Sequence, residues 1–91
     1  MLHLLNHING HAQQPLGGRT LPVIEPATGQ PYALLPDSDA ADVDAAVRAA
    51  EAALPAWRRL PAEDRGRLLL RLAELISRDL DRLALAESQD T

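Results

Sequence analysis

The chain has 91 residues, 46% of them hydrophobic, with a net charge of −4 and no cysteine. That length fits one small domain or part of a larger one, and the lack of Cys excludes disulfides, thiolate metal sites and a thiol nucleophile within it. The acidic balance and the presence of only two aromatics, Tyr32 and Trp57, argue against nucleic-acid binding, which needs excess positive charge and usually stacking rings.

At the N-terminus, Met1-Leu2-His3-Leu4-Leu5 is apolar but short. It has no basic stretch and no adjacent small-residue cleavage site, so a signal peptide is not expected. No apolar run approaches the ~20 residues of a membrane span. The expected setting is cytoplasmic, with no membrane contact. Leu4 to Gln14 reads as a hairpin, because Asn9-Gly10 suits a type I′ turn with positive φ at both centre positions. Gly17-Gly18 marks a second turn. Thr20 to Ile24 is rich enough in β-formers for a short strand, and Pro22 makes it an edge strand or an irregular one. Pro26-Ala27-Thr28-Gly29 is a turn, and Gln30 to Leu35 returns as a strand that Pro36 ends.

From Asp37 the period changes. Asp39 is a good N-cap, and Asp42 and Asp44 complement the dipole of a helix over about 40–54. Val43, Ala46, Val47, Ala50 and Leu54 form one stripe at helical spacing. Asp44 and Arg48 make an i,i+4 pair away from it. Pro55 is expected to end this helix, leaving Trp57 in a connection as a packing anchor. Pro61, Glu63 and Asp64 suit the start of a second helix over about 61–77. Its wide apolar face is Leu68, Leu69, Leu72, Leu75 and Ile76, with Glu63–Arg67 and Glu74–Arg78 as outward pairs. Ser77 and Asp79 are poor interior residues, so a break with a cap at Asp79 and a third helix over about 80–88 is preferred to one long helix. A core of Ala and Leu with so few aromatics is thin, which argues against stable folding as an isolated monomer.

Few residues offer chemistry. His3, His7 and His11 are spaced i, i+4, i+8, but in a two-residue hairpin His7 opposes Ala12 and Ile8 opposes His11, so His7 and His11 fall on opposite faces. They read as sheet histidines, not ligands. The glycines form no GxGxxG and no GxxxxGK, so they do not cradle phosphate; Gly66, at a helix start, reads as permitting close packing. Glu63-Asp64 and Asp79/Asp81 read as dipole complement and solvated face. Asp90, after Glu87-Ser88-Gln89, reads from composition alone as a surface acid.

Taken in order, the motifs resemble the aldehyde dehydrogenase superfamily. His7-Ile8-Asn9-Gly10 resembles its "INGE" strand and Glu25-Pro26-Ala27-Thr28-Gly29-Gln30 its "NPATGE" turn. Val43-Asp44-Ala45-Ala46-Val47 through Ala53 resembles its "VDAAVxAAxxA" helix. Trp57-Arg58-Arg59, Arg65-Gly66-Arg67-Leu68-Leu69 and Leu72-Ala73-Glu74-Leu75-Ile76 are similar to the tryptophan and second helix that follow. Glu87-Ser88-Gln89-Asp90-Thr91 is similar to "ESxDT", a motif that the family continues with Gly-Lys-Pro. The similarity runs from about His7 to Thr91, and its wording leans slightly towards members acting on muconic-type semialdehydes. Glu25 and Gln30 depart from the usual Asn and acid, and Leu54 replaces a frequent Phe.

The resemblance implies an α+β fragment of an α/β enzyme, spanning 1–91: a hairpin and short strands over about 4–35, then two or three amphipathic helices, as at the start of the family's cofactor-binding domain. It implies NAD(P)-dependent oxidation of an aldehyde to a carboxylic acid by an intact enzyme that is a homo-oligomer. The family's nucleophilic Cys, its Glu base and its cofactor-binding residues lie downstream, so none is carried onto this sequence. One element does map. The family holds a monovalent cation, K+ or Na+, with backbone carbonyls ahead of the turn and a carboxylate in "ESxDT", which here are Val23, Ile24 and Asp90. The partners implied are the remainder of a dehydrogenase chain and a small aldehyde, and the 91 residues alone are expected to be inactive. The rival readings are a stand-alone interaction module docking on a partner protein and a non-functional truncated gene product.

Overall fold

The computed structural model describes residues 1–91. Five short strands precede three helices: β1 (Leu2–His3), β2 (Asn6–Ile8), β3 (His11–Gln13), β4 (Thr20–Glu25), β5 (Gln30–Pro36), α1 (Ala40–Arg59), α2 (Ala62–Arg78) and α3 (Leu80–Asp90). The change from period two to period 3.6 at Asp37 separates the two halves as the sequence predicts.

Strands β2 and β3 form a two-stranded hairpin in which His7 faces Ala12 and Ile8 faces His11. Asn9 (φ 54°) and Gly10 (φ 77°) both take the left-handed conformation that a type I′ turn requires. The other sheet has the order β1-β5-β4. Strands β4 and β5 pair antiparallel around the Pro26–Gly29 turn, where the amides of Thr28 and Gly29 donate to the Glu25 carbonyl. Strand β4 is an edge strand, which accommodates Pro22, and its ladder is irregular between Val23 and Ile24. Strand β1 is an addition to the predicted elements. It runs parallel to β5, with Leu2 beside Ala33 and His3 beside Leu34, and Leu4 N–H donates to the Leu34 carbonyl at 2.8 Å. Two residues are too few for a periodic signal, so only the partner strand fixes them. Ala33, on the central strand, is wholly buried.

Helix α1 begins as expected. The Asp39 carboxylate accepts from Ala41 N–H (3.0 Å) and Asp42 N–H (3.2 Å), while Asp42 accepts from Asp39 N–H (3.0 Å). This is a reciprocal capping box. The helix does not end at Pro55. It continues to Arg59, so Trp57 sits on α1 and not in a connection. Proline lacks an N–H to donate to the Glu51 carbonyl and crowds that turn. Strong helix formers on both sides, Ala52-Ala53-Leu54 and Ala56, carry the helix through. Arg58 and Arg59 complement the dipole in the last turn, and Leu60 N–H closes it on the Trp57 carbonyl at 3.2 Å.

The break at Asp79 is present, yet its side chain caps nothing. That carboxylate pairs with Arg78 (3.1 Å) and Arg82 (3.3 Å). These guanidiniums hold its pKa below the ordinary value, the Arg78 hydrogen bond contributing most. Arg78 is thereby unavailable to Glu74, which takes Arg71 at 3.1 Å in place of the expected i,i+4 pair. The pairs Asp44–Arg48 (2.7 Å) and Glu63–Arg67 (2.9 Å) form as predicted. Gly66, expected to permit close packing, has open space where a Cβ would stand.

The assembled elements form a slab of 48 × 34 × 16 Å with a radius of gyration of 16.7 Å, against about 12 Å for a compact chain of this length. Only three residues are buried. The accessible surface is 7161 Å², whereas a folded monomer of 9.9 kDa exposes about 5,200 Å². Both apolar helix stripes account for much of this surplus: Val43, Val47, Leu54 and Trp57 on α1, and Leu68, Leu69, Leu72 and Ile76 on α2, all stay exposed. No helix is long and apolar enough to cross a membrane.

Candidate functional site

Helix α3 lies against β4, and between α3 and the three-stranded sheet is a cleft of 490 Å³. Its walls are apolar, with Leu2, Leu4 and Leu35 from the sheet side and Leu83 from α3. Its polar end holds Tyr32 and Asp90. Tyr32 Oη donates to Asp90 Oδ1 at 2.8 Å, joining β5 to the end of α3 across 58 residues. This hydrogen bond is the main cause that raises the tyrosine pKa, with desolvation and the charges of Asp90 and Glu25 adding to it. The neutral phenol is the donor, so the carboxylate opposes its ionisation.

The structure brings two of the three sequence-predicted cation residues to this cleft. Val23 lines it together with Asp90; Ile24, one residue on, does not. The irregularity of the β4–β5 ladder falls at Val23/Ile24, where a bulge interrupts regular pairing of main-chain groups. Carbonyl oxygens there and the Asp90 carboxylate are hard oxygen donors, a set that fits a hard cation of low charge. No three His, Cys, Asp or Glu residues gather anywhere in the chain. His3, His7 and His11 therefore converge on nothing, and with no Cys the chain assembles no nucleophile–base pair.

Two residues that sequence reasoning missed organise this region. Asp42, read as a dipole complement, is only 4% exposed and also accepts Leu16 N–H at 2.8 Å. The amides of Leu16 and then Asp39 hold its carboxyl below the usual range. The D-x-x-D spacing at Asp39–Asp42 signals the capping box, but nothing local signals a partner 26 residues earlier. Tyr32 was noted only as an aromatic, and its partner in α3 likewise leaves no local trace. Asn6 makes a third long link, donating through Nδ2 to Ser38 Oγ at 2.7 Å.

The aldehyde dehydrogenase family model matches residues 13–91. The chain belongs to the aldehyde dehydrogenase family. It is 42% identical over 87 residues to a hydroxyisobutyraldehyde dehydrogenase of Mycolicibacterium austroafricanum, covering 96% of this chain and 17% of that one. It is 45% identical over 84 residues to retinal dehydrogenase 2 of Homo sapiens, covering 89% of this chain and 16% of that one. The solved structure of PnpE in complex with nicotinamide adenine dinucleotide superposes with a TM-score of 0.91 at 42% identity, covering 98% of this chain and 18% of PnpE. The chain thus spans about one sixth of the length of these curated relatives. Their names range from hydroxyisobutyraldehyde to retinal, so the similarity of this stretch follows the family and not one aldehyde.

Proposed function

We propose that these residues are the N-terminal part of the cofactor-binding domain of an NAD(P)-dependent aldehyde dehydrogenase, an oxidoreductase converting an aldehyde to a carboxylic acid. The observation that carries this reading is the match along residues 13–91, with superposition of nearly the whole chain on part of an NAD-bound protein. The nicotinamide cofactor, when bound to the intact enzyme, accepts a hydride. The role of this chain's residues is structural support. They present apolar helix faces to the rest of the subunit, and by themselves are inactive, with no nucleophile to attack a carbonyl. Val23 and Ile24, through their carbonyls, and Asp90, through its carboxylate, would hold a monovalent cation that ties β4 to the end of α3.

The test is to join the 91 residues to the part of PnpE that they do not match, in one polypeptide, and follow NADH formation with a panel of aldehydes. Turnover by the joined chain and none by the 91-residue chain is the expected result. Turnover by the short chain, with host enzymes excluded, would overturn its assigned inactivity. An inert joined chain that folds and binds cofactor would overturn the dehydrogenase reading.

A further inference from the structure

Among the five arginines of α2 and α3, Arg67, Arg71, Arg78 and Arg82 each have a carboxylate partner. Arg65 has none, and its Nε is buried without a hydrogen-bond acceptor. Its position explains why this matters. Leu68, Leu69, Leu72 and Ile76 follow it at i+3, i+4, i+7 and i+11, so Arg65 shares the apolar face of α2. The ion-paired residues Glu63, Arg67, Arg71, Glu74 and Arg78 lie on the other side. Leu68, Leu69, Leu72 and Ile76 are all about half exposed or more. An apolar face with an unmet cationic donor inside it is half of an interface, since a desolvated guanidinium without an acceptor is unfavourable.

The surplus surface of the chain, about 2,000 Å², exceeds the ~800 Å² that each partner contributes to a stable interface of ordinary size. A second copy of the chain is a poor occupant. A twofold contact of α2 on α2 would set the same patch on both sides, bringing two Arg65 cations together with neither donor satisfied. The fitting partner is apolar and carries a carboxylate.

We propose that the α2 face of Leu68, Leu69, Leu72 and Ile76, with Arg65 inside it, docks the body of an aldehyde dehydrogenase subunit through an apolar surface bearing one carboxylate that pairs with Arg65. This rests on the family reading above for the identity of the partner. The apolar residues supply area, and the Arg65–carboxylate pair fixes register, because a misplaced body would leave both charges buried and unpaired.

The experiment co-expresses the 91-residue chain with PnpE lacking its matching segment, and reads one-to-one co-purification and the dissociation constant. The two pieces are expected to co-purify. L69D and I76D abolish the complex, whereas L70D, on the opposite side of α2, leaves it intact. R65L weakens binding by at least about thirtyfold, and R65K, which keeps a cation, weakens it less. Equal helix content of all variants by circular dichroism separates lost docking from lost folding. The proposal is overturned by a body that is insoluble or unbound in the presence of the chain, by loss of binding with L70D equal to that with L69D, or by R65L binding like the parent. Self-association of the 91-residue chain through the Leu69 face, in preference to the body, would overturn it as well. An active joined polypeptide with no two-piece complex would defeat this proposal and leave the dehydrogenase reading standing. A complex with an inert joined chain would do the reverse.

Discussion

Unfolding of the isolated 91-residue chain in urea is expected to lack a cooperative transition. The surplus of about 2,000 Å² over a compact monomer is more than half apolar at ordinary surface composition. At about 25 cal/mol per Å² that is roughly 30 kcal/mol of hydrophobic stabilisation left unrealised. Net stabilities of whole domains are about 5–15 kcal/mol, so the missing burial is larger than the margin by which a domain of this size stays folded. The helices retain local support from the Asp39 box and the i,i+4 pairs, but such terms are tenths of a kcal/mol to about 1 kcal/mol each. Far-UV circular dichroism and the fluorescence of Trp57, the only tryptophan, should therefore report different, shallow curves, and Trp57 emission should resemble that of an exposed indole from the start. Coincident sigmoidal curves with a slope of about 1 kcal/mol per M or more, the value for a small cooperative domain, would refute the reasoning.

Four further outcomes follow from particular contacts. Asp39→Ala removes acceptors for two amides at the start of α1 and should cost about 1 kcal/mol of helix stability, seen as faster hydrogen exchange at Ala41 and Asp42, while Asp39→Ser stays close to the parent. Pro55→Ala restores a donor to the Glu51 carbonyl and should raise the helicity of α1 by an amount approaching 3 kcal/mol in local stability, read by amide exchange on either side of position 55. Asp42 has a carboxyl held below its unfolded value of about 3.9, so its contribution is present above that pH and is lost as pH falls through the lower folded value. Protection of the Leu16 amide should follow that window and should be insensitive to it in Asp42→Asn. Tyr32 is shifted the other way: its tether to α3 is present below about pH 10 and is lost as pH rises through the higher folded value. Asp90→Ala should return the Tyr32 titration, followed by ultraviolet absorbance, towards the ordinary phenol range.

Local rules made most of the elements legible. Asn9-Gly10, the Pro26–Gly29 turn and Asp39 each carry their signal within four residues, and each appears where the sequence places it. The failures share a cause. Pro55 is a helix stop by local rule, but helix formers on both flanks and a closed C-terminus outweigh one proline. Strand β1 exists only because β5 lies beside it, and the partners of Asp42 and Tyr32 come from 26 and 58 residues away. Of the candidate cation residues, Val23 and Asp90 share a cleft that composition alone does not reveal, since an acid near the end of a helix reads as solvated surface.

The apolar stripes show the same limit from the other direction. Periodicity identified the faces of α1 and α2 correctly, and a periodic apolar face is ordinarily read as a core face. Here those faces meet solvent, so the pattern states what the helices are built to bury against without stating that this chain supplies it. Arg65 sharpens that distinction. A leucine stripe alone would accept any apolar neighbour of suitable shape, but a cation set within it rejects one that brings no acceptor, because the cost of an unpaired buried charge exceeds the gain from a few methylenes. Specificity in this stretch therefore resides in a polar residue on an apolar face, and it is there that substitution should change partner choice more than helix stability.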